Sequence, residues 1–277
     1  MSTTTRTIPQ AWLAAAAIGL VALFAAGSAS TANLGQTAKP TVVLVHGAWA
    51  DASGWNGVIA ELHEDGYPVI APANPLRSLS GDSAYITSVL AQTPGPIVLV
   101  GHSYGGAVIT NAAAGNPNVK ALVYVDAFIP DVGENVLALA GADSKVASSI
   151  EFKAIPPFGP NDVEAYIKQD LFRSTFAADV SPRTAALMAA EQRPLALAAG
   201  AEPTTATAWS TIPSWAIVGL EDRTIPPAQQ LFMANRAGAK VVEIHSSHVA
   251  MISHPDAVTR LVERAAATTT AYRRSTR

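Results

Sequence analysis

Three side chains in this sequence have the types and order needed for acyl transfer through a covalent intermediate. The first is Ser103, in Gly101-His102-Ser103-Tyr104-Gly105, with Gly106 directly after it. The pentapeptide follows the apolar run 97–100 and leads into a helical stretch. In that context a serine sits on a sharp strand-to-helix turn that lifts its hydroxyl clear of the sheet. A serine hydroxyl is a weak nucleophile near neutral pH, so it needs a base, and the base needs an acid to orient it. His248, in His245-Ser246-Ser247-His248, supplies the base, and Asp222, in Gly219-Leu220-Glu221-Asp222-Arg223, the acid. Each follows closely on a strand-like run, 240–244 and 214–218. Asp126, just beyond another such run, is an alternative acid, and Glu221 a weaker one. His245 is read as packing or bonding locally, and His254 as a helix-entry residue.

The chemistry also needs donors for the oxyanion that develops on the attacked carbonyl. Val43-Leu44-Val45-His46-Gly47-Ala48-Trp49 places a His-Gly turn after the first strand. The backbone N–H groups of Ala48 and Tyr104 are the expected donors, and losing one such donor typically costs about 10²–10³ in rate. His46 reads as a loop-holding residue. Trp49, Trp55 and Phe128 are candidates for lining an apolar pocket, of which Trp49 and Phe128 are the ones assigned to it.

These residues must be carried by elements whose ends converge. Short, unalternating apolar runs at 41–45, 68–71, 97–100, 121–125, 214–218 and 240–244 have the composition of strands covered on both faces. Amphipathic stretches at 55–64, 82–92, 104–114, 228–237 and 255–267 alternate with them. Such alternation predicts an α/β fold, a doubly wound and mainly parallel sheet of about six strands. The rhythm breaks between 125 and 214, where no convincing strand occurs and Pro156, Pro157, Pro160 and Pro194 interrupt helical patterns. We read 128–212 as an inserted helical cap, and 38–127 with 213–270 as the core. A structureless loop of that length would be implausible in a compact domain.

The 277 residues are 49% hydrophobic and 14% charged, with a net charge of −3 and no cysteine. This composition excludes disorder and disulfides, and offers no broad attraction for nucleic acid or an anionic membrane. Residues 1–32 read as a signal peptide. Arg6 precedes the apolar run 11–26, and small residues follow at 27–32. The run is short for a bilayer span. We therefore expect a secreted or periplasmic protein with no stable membrane association after processing.

Together, His46 to Trp49, Gly101 to Gly106, Gly219 to Asp222 and Ser247-His248 resemble the α/β-hydrolase superfamily, over about residues 40–265. Within it the chain is most similar to small-ester hydrolases related to plant methyl-ester esterases and hydroxynitrile lyases. The resemblance implies a Ser-His-Asp serine hydrolase that needs no metal or organic cofactor. Too few residues precede Thr41 for the antiparallel strand pair that usually opens the fold. Val249 stands where the lyases carry lysine, which disfavours lyase chemistry. A serine at 103 disfavours dehalogenases and epoxide hydrolases, which use aspartate. The cap aromatics Phe152, Phe158, Tyr166, Phe172 and Phe176 imply a small, uncharged, apolar ester or lactone. Haloperoxidation, C–C bond cleavage and a non-catalytic binding role are the alternatives on the same fold.

Overall fold

The structure is a computed structural model that describes residues 39–155 and 162–275. The leader and the cap residues Pro156, Pro157, Phe158 and Pro160 lie outside them. The first half of the core runs through β1 (Thr41–Val45), α1 (Asn56–Glu64), β2 (Val69–Ile70), α2 (Leu79–Ala91), β3 (Ile97–His102), α3 (Tyr104–Ala112) and β4 (Val119–Val125). Its strands are rich in Val, Ile and Leu, and β3 is buried along its whole length. Helix α2 starts earlier than its sequence suggested. Ser78 is the N-cap, its hydroxyl accepting the Gly81 N–H at 3.1 Å, so Ser80 to Asp82 already lie inside the helix.

The insertion comes next and is not purely helical. It contains α4 (Val136–Leu139), α5 (Val146–Ser149), β5 (Ile150–Ala154), β6 (Val163–Ile167), α6 (Gln169–Phe176), α7 (Pro182–Glu191), β7 (Leu195–Ala196) and α8 (Leu197–Ala201). Strands β5, β6 and β7 form an antiparallel sheet of their own. Ile-Glu-Phe-Lys-Ala and Val-Glu-Ala-Tyr-Ile alternate apolar and polar residues, the period of a strand. Five paired residues, from Ile150↔Ile167 to Ala154↔Val163, fix the register. Helix α7 opens on an N-cap, the Ser181 hydroxyl accepting the Thr184 N–H, with Pro182 in its first turn.

The chain then returns through β8 (Ser214–Gly219), α9 (Pro227–Arg236), β9 (Lys240–Ile244), α10 (Ala250–Ser253) and α11 (Pro255–Ser275). The core sheet has the order β2-β1-β3-β4-β8-β9, and every pairing in it is parallel. Helices flank the sheet. Helix α11 packs on α1 and across β3, β4 and β8, while α3 packs on α2 and across β1, β3 and β4. Parallel pairing sends all the strand ends to one edge. Val45 pairs with Gly101, His102 with Val125, and Gly219 with Ile244, so the loops after β1, β3, β4, β8 and β9 emerge side by side. In open α/β sheets that edge is where ligands bind.

Candidate active site

Ser103 follows the last residue of β3 and caps α3 with φ +52° and ψ −124°. A non-glycine residue there is strained, which costs on the order of 1–3 kcal/mol. Its surroundings enforce the turn. A Cβ on Gly105 would fall 2.5 Å from the Val45 carbonyl, and one on Gly106 only 2.3 Å from the Phe128 carbonyl. Helix α3 therefore enters against the loops after β1 and β4 at distances no side chain permits.

The three candidate residues converge. His248 Nε2 lies 2.8 Å from Ser103 Oγ, and His248 Nδ1 lies 2.6 Å from Asp222 Oδ2. Both His248 and Asp222 are buried. Burial holds the imidazole far below its ordinary range, at about 3, so the ring is neutral near pH 7. With Nδ1–H donating to Asp222, the Nε2 lone pair faces the serine hydroxyl. Asp222 accepts three further bonds, from the N–H groups of Thr224 (2.7 Å) and Ile225 (3.0 Å) and the Gln230 amide (2.7 Å). Burial pushes this carboxyl well above the usual carboxylate range, and those donors oppose the shift only in part. Two donors on each oxygen make a pattern that suits the carboxylate.

The rival residues are engaged elsewhere. Asp126 is fully buried, yet it accepts the N–H groups of Gly219 (2.8 Å) and Ala250 (3.1 Å). It thus ties the start of the Asp222 loop to the segment after His248. Glu221 and His245 form an exposed pair at 3.4 Å. His254 bonds the Ser253 hydroxyl at 2.9 Å. His46 holds its loop, as expected. Its Nε2 accepts the Asn74 N–H at 2.9 Å and its Nδ1–H donates to the Gly47 carbonyl at 2.9 Å. Burial keeps it neutral too, at about 4.

Over Ser103 lies a cavity of about 90 Å³. The core supplies Ala48, Trp49, Tyr104 and Thr224, and the insertion closes it with Phe128 and further apolar side chains that include Val136, Val146 and Ile150. Trp49 and Phe128 therefore line it as anticipated. Trp55 does not, being buried in the core with its ring 6.4 Å from that of His102. The polar ends of the larger rings turn away. The Trp49 indole N–H donates to the Ala165 carbonyl, and the Tyr104 hydroxyl to Asp82. Ala48 and Tyr104 also flank Ser103 in this lining, and their backbone N–H groups have no acceptor among the described residues. A Cβ on Gly47 would lie 2.6 Å from that of Ser103, so the Ala48 turn is pressed against the serine. No group of three or more His, Cys, Asp and Glu among the described residues could hold a metal ion.

Two contributors were not found from sequence. Gln230 orients Asp222 from α9, and Thr224 lines the cavity while its N–H bonds Asp222. Neither stands in a motif, and only the folding of the loop after β8 and the start of α9 brings them to the acid.

Comparison with known proteins identifies the family and the fold. Residues 42–261 match the family described as "Alpha/beta hydrolase family". An Aspergillus novofumigatus protein named alpha/beta hydrolase nvfD is 25% identical over 82% of this chain and 97% of its own. A Nocardioides protein named carbendazim hydrolyzing esterase is 38% identical over a shorter stretch, 35% of this chain and 46% of that protein. The crystal structure of an Arabidopsis methylesterase protein, MES16, superposes with a TM-score of 0.69 at 18% identity, covering 83% of this chain and 99% of the other.

Proposed function

The chain belongs to the alpha/beta hydrolase family, and from that premise we propose that it hydrolyses small, uncharged, apolar carboxylic esters or lactones through an acyl-enzyme on Ser103. The observation that carries this reading is the pair of bonds made by one neutral imidazole, to Ser103 Oγ at 2.8 Å and to Asp222 at 2.6 Å, beneath an apolar cavity. The esterase named among the relatives agrees with it.

In this mechanism Ser103 Oγ attacks the ester carbonyl carbon while its proton passes to His248 Nε2. Asp222 stabilises the imidazolium that forms. The amides of Ala48 and Tyr104 donate to the tetrahedral oxyanion. As the C–O bond to the alcohol breaks, His248 returns the proton to the leaving oxygen. A water molecule, deprotonated in turn by His248, attacks the acyl-enzyme and releases the carboxylic acid and free Ser103. A lining this poor in polar groups gives a charged substrate nothing to replace its hydration, which selects neutral esters.

Purified protein should turn over p-nitrophenyl esters and lose that activity on labelling of Ser103 by a fluorophosphonate. Absence of both turnover and labelling would refute the reading. The proposal extends to export. Protein recovered from its natural host should begin between about residues 28 and 33. Recovery with Met1 intact would remove that part of it.

A further inference from the structure

We infer that Asp179, in the insertion, is a positioning residue for His248, so that the cap sets the geometry of the base as well as the shape of the cavity. This inference rests on the acyl-transfer reading above.

Asp179 lies in the connection between α6 and α7. One carboxylate oxygen accepts the backbone N–H of Ser247 at 3.0 Å, and the other accepts the Ser247 hydroxyl. Ser247 is the residue immediately before His248, and it is buried. Two bonds from one carboxylate to the N–H and hydroxyl of one residue fix the backbone from which the imidazole projects. His254 Nδ1 lies 3.9 Å away, so the carboxylate faces groups from both sides of the His248 loop. Burial pushes this carboxyl up, but the Ser247 bonds hold it below the usual carboxylate range, and it stays charged at neutral pH. Its side chain is 18% exposed.

The neighbouring residues of the same segment point to the same role. Phe176 sets its ring 5.0 Å from that of His248, close to edge-on. Just before it, the Thr175 carbonyl accepts the Thr224 hydroxyl at 3.1 Å, and the Ser174 carbonyl accepts from Arg223 at 3.2 Å. Thr224 and Arg223 belong to the loop that carries Asp222. Residues 174–179 therefore hold the acid loop at one end and the base loop at the other. From the core side, His248 is anchored by its carbonyl, which accepts from His102 Nε2 at 2.8 Å. Removing the cap-side anchor leaves the loop held from one side only, and misplacement of a catalytic group by about 1 Å can cost ~10² in rate.

The test uses the full chain with Asp179→Ala, Asp179→Asn, Ser247→Ala and the double variant Asp179→Ala/Ser247→Ala. Asp179→Ala should lower kcat on a p-nitrophenyl ester by up to ~10² with KM within about twofold. Asp179→Asn, which keeps one acceptor, should fall between it and the parent. The double variant should be no worse than Asp179→Ala, because both remove one interaction. The downfield proton signal of His248 Nδ1–H, followed by NMR, should shift or broaden in Asp179→Ala, which a merely structural contact elsewhere would not produce. An unchanged kcat and an unchanged signal in a folded Asp179→Ala protein would overturn the inference. So would a loss of activity that tracks a lowered melting temperature while the signal stays in place. A parent protein with no ester turnover would instead sink the proposed function, and the NMR signal would still decide the role of Asp179.

Discussion

The floor and the roof of the cavity are built on opposite principles. The floor comes from the ends of core strands and is held by directed bonds: Asp222 takes four donors, His248 bonds through both nitrogens, and Asp126 bridges two loops. The roof comes from α4, α5, the small antiparallel sheet and the start of α8, and it presents apolar side chains. Three of its residues, Leu137, Phe152 and Leu197, remain 49%, 61% and 38% exposed. A hydrogen-bonded floor tolerates almost no displacement, because each donor or acceptor left unpaired in a buried site costs about 1–3 kcal/mol. An apolar roof can repack, because dispersion contacts are weak singly and not directional. The floor should therefore govern whether reaction occurs, and the roof which ester reacts.

The largest effect that would sharpen this contrast is at the nucleophile. Ser103→Ala should lower kcat by about 10⁴–10⁶. Ser103→Gly should be as inactive yet more stable by about 1 kcal/mol, since glycine accepts the φ of +52° that strains serine. Paired kinetic and urea-unfolding measurements check both statements. A destabilised glycine variant would show that the turn stores no strain.

The two buried acids come next. Asp222→Asn should cost about 10⁴ in kcat, because the amide no longer holds His248 in the tautomer that bases Ser103. Asp126→Asn should instead cost about 1–3 kcal/mol of stability, through the lost loop-to-loop bridge, with kcat reduced less than tenfold. The reverse ranking would transfer the acid role to Asp126.

The pH dependence follows from His248. Its neutral form is the base, and burial holds its pKa at about 3. Activity should therefore stay on its plateau as pH falls through the ordinary histidine value near 6.5, and fail only well below it as the ring takes up a proton. A profile of kcat/KM, with stability checked at each pH, tests the sign. A half-maximal point at 6.5 would mean that the imidazole is not sealed from water in the working enzyme.

The smallest effects belong to the roof. Phe152→Ala or Leu137→Ala should change KM among esters of different chain length by several-fold, about 1 kcal/mol or less, with the rate of fluorophosphonate labelling of Ser103 unaltered. Loss of labelling in either variant would break the division between floor and roof.

The same division explains what could be read from the sequence. The core strands were legible because each is a continuous apolar run between helical patterns, and the site was legible because its residues follow those runs at short spacing. The segment Gly101 to Gly106 announced Ser103 by its glycines, whose role is confirmed by the atoms a side chain there would strike. The sheet of the insertion was missed because β5 and β6 alternate instead of running apolar, and their pairing shows only when the two segments are set against each other. Asp179 was invisible for a related reason. Nothing near it in the chain marks it, and its partner Ser247 lies 68 residues away.

One topological detail bears on how such a protein could change. The insertion leaves the core at the end of β4 and re-enters at β8, and these two strands are hydrogen-bonded neighbours, with Val125 opposite Ile217. Ser214, the first residue of β8, lies opposite Leu122, three residues back from Val125, so the two ends are anchored on the order of 10 Å apart whatever lies between them. Lengthening a loop with fixed ends adds little entropy cost, roughly 0.6 kcal/mol for each doubling. The insertion is accordingly a module that could be exchanged for one from a relative without disturbing the sheet. A graft would, however, have to carry its own equivalent of residues 174–179. A chimera lacking those bonds would fold and bind, yet hold its histidine from one side alone.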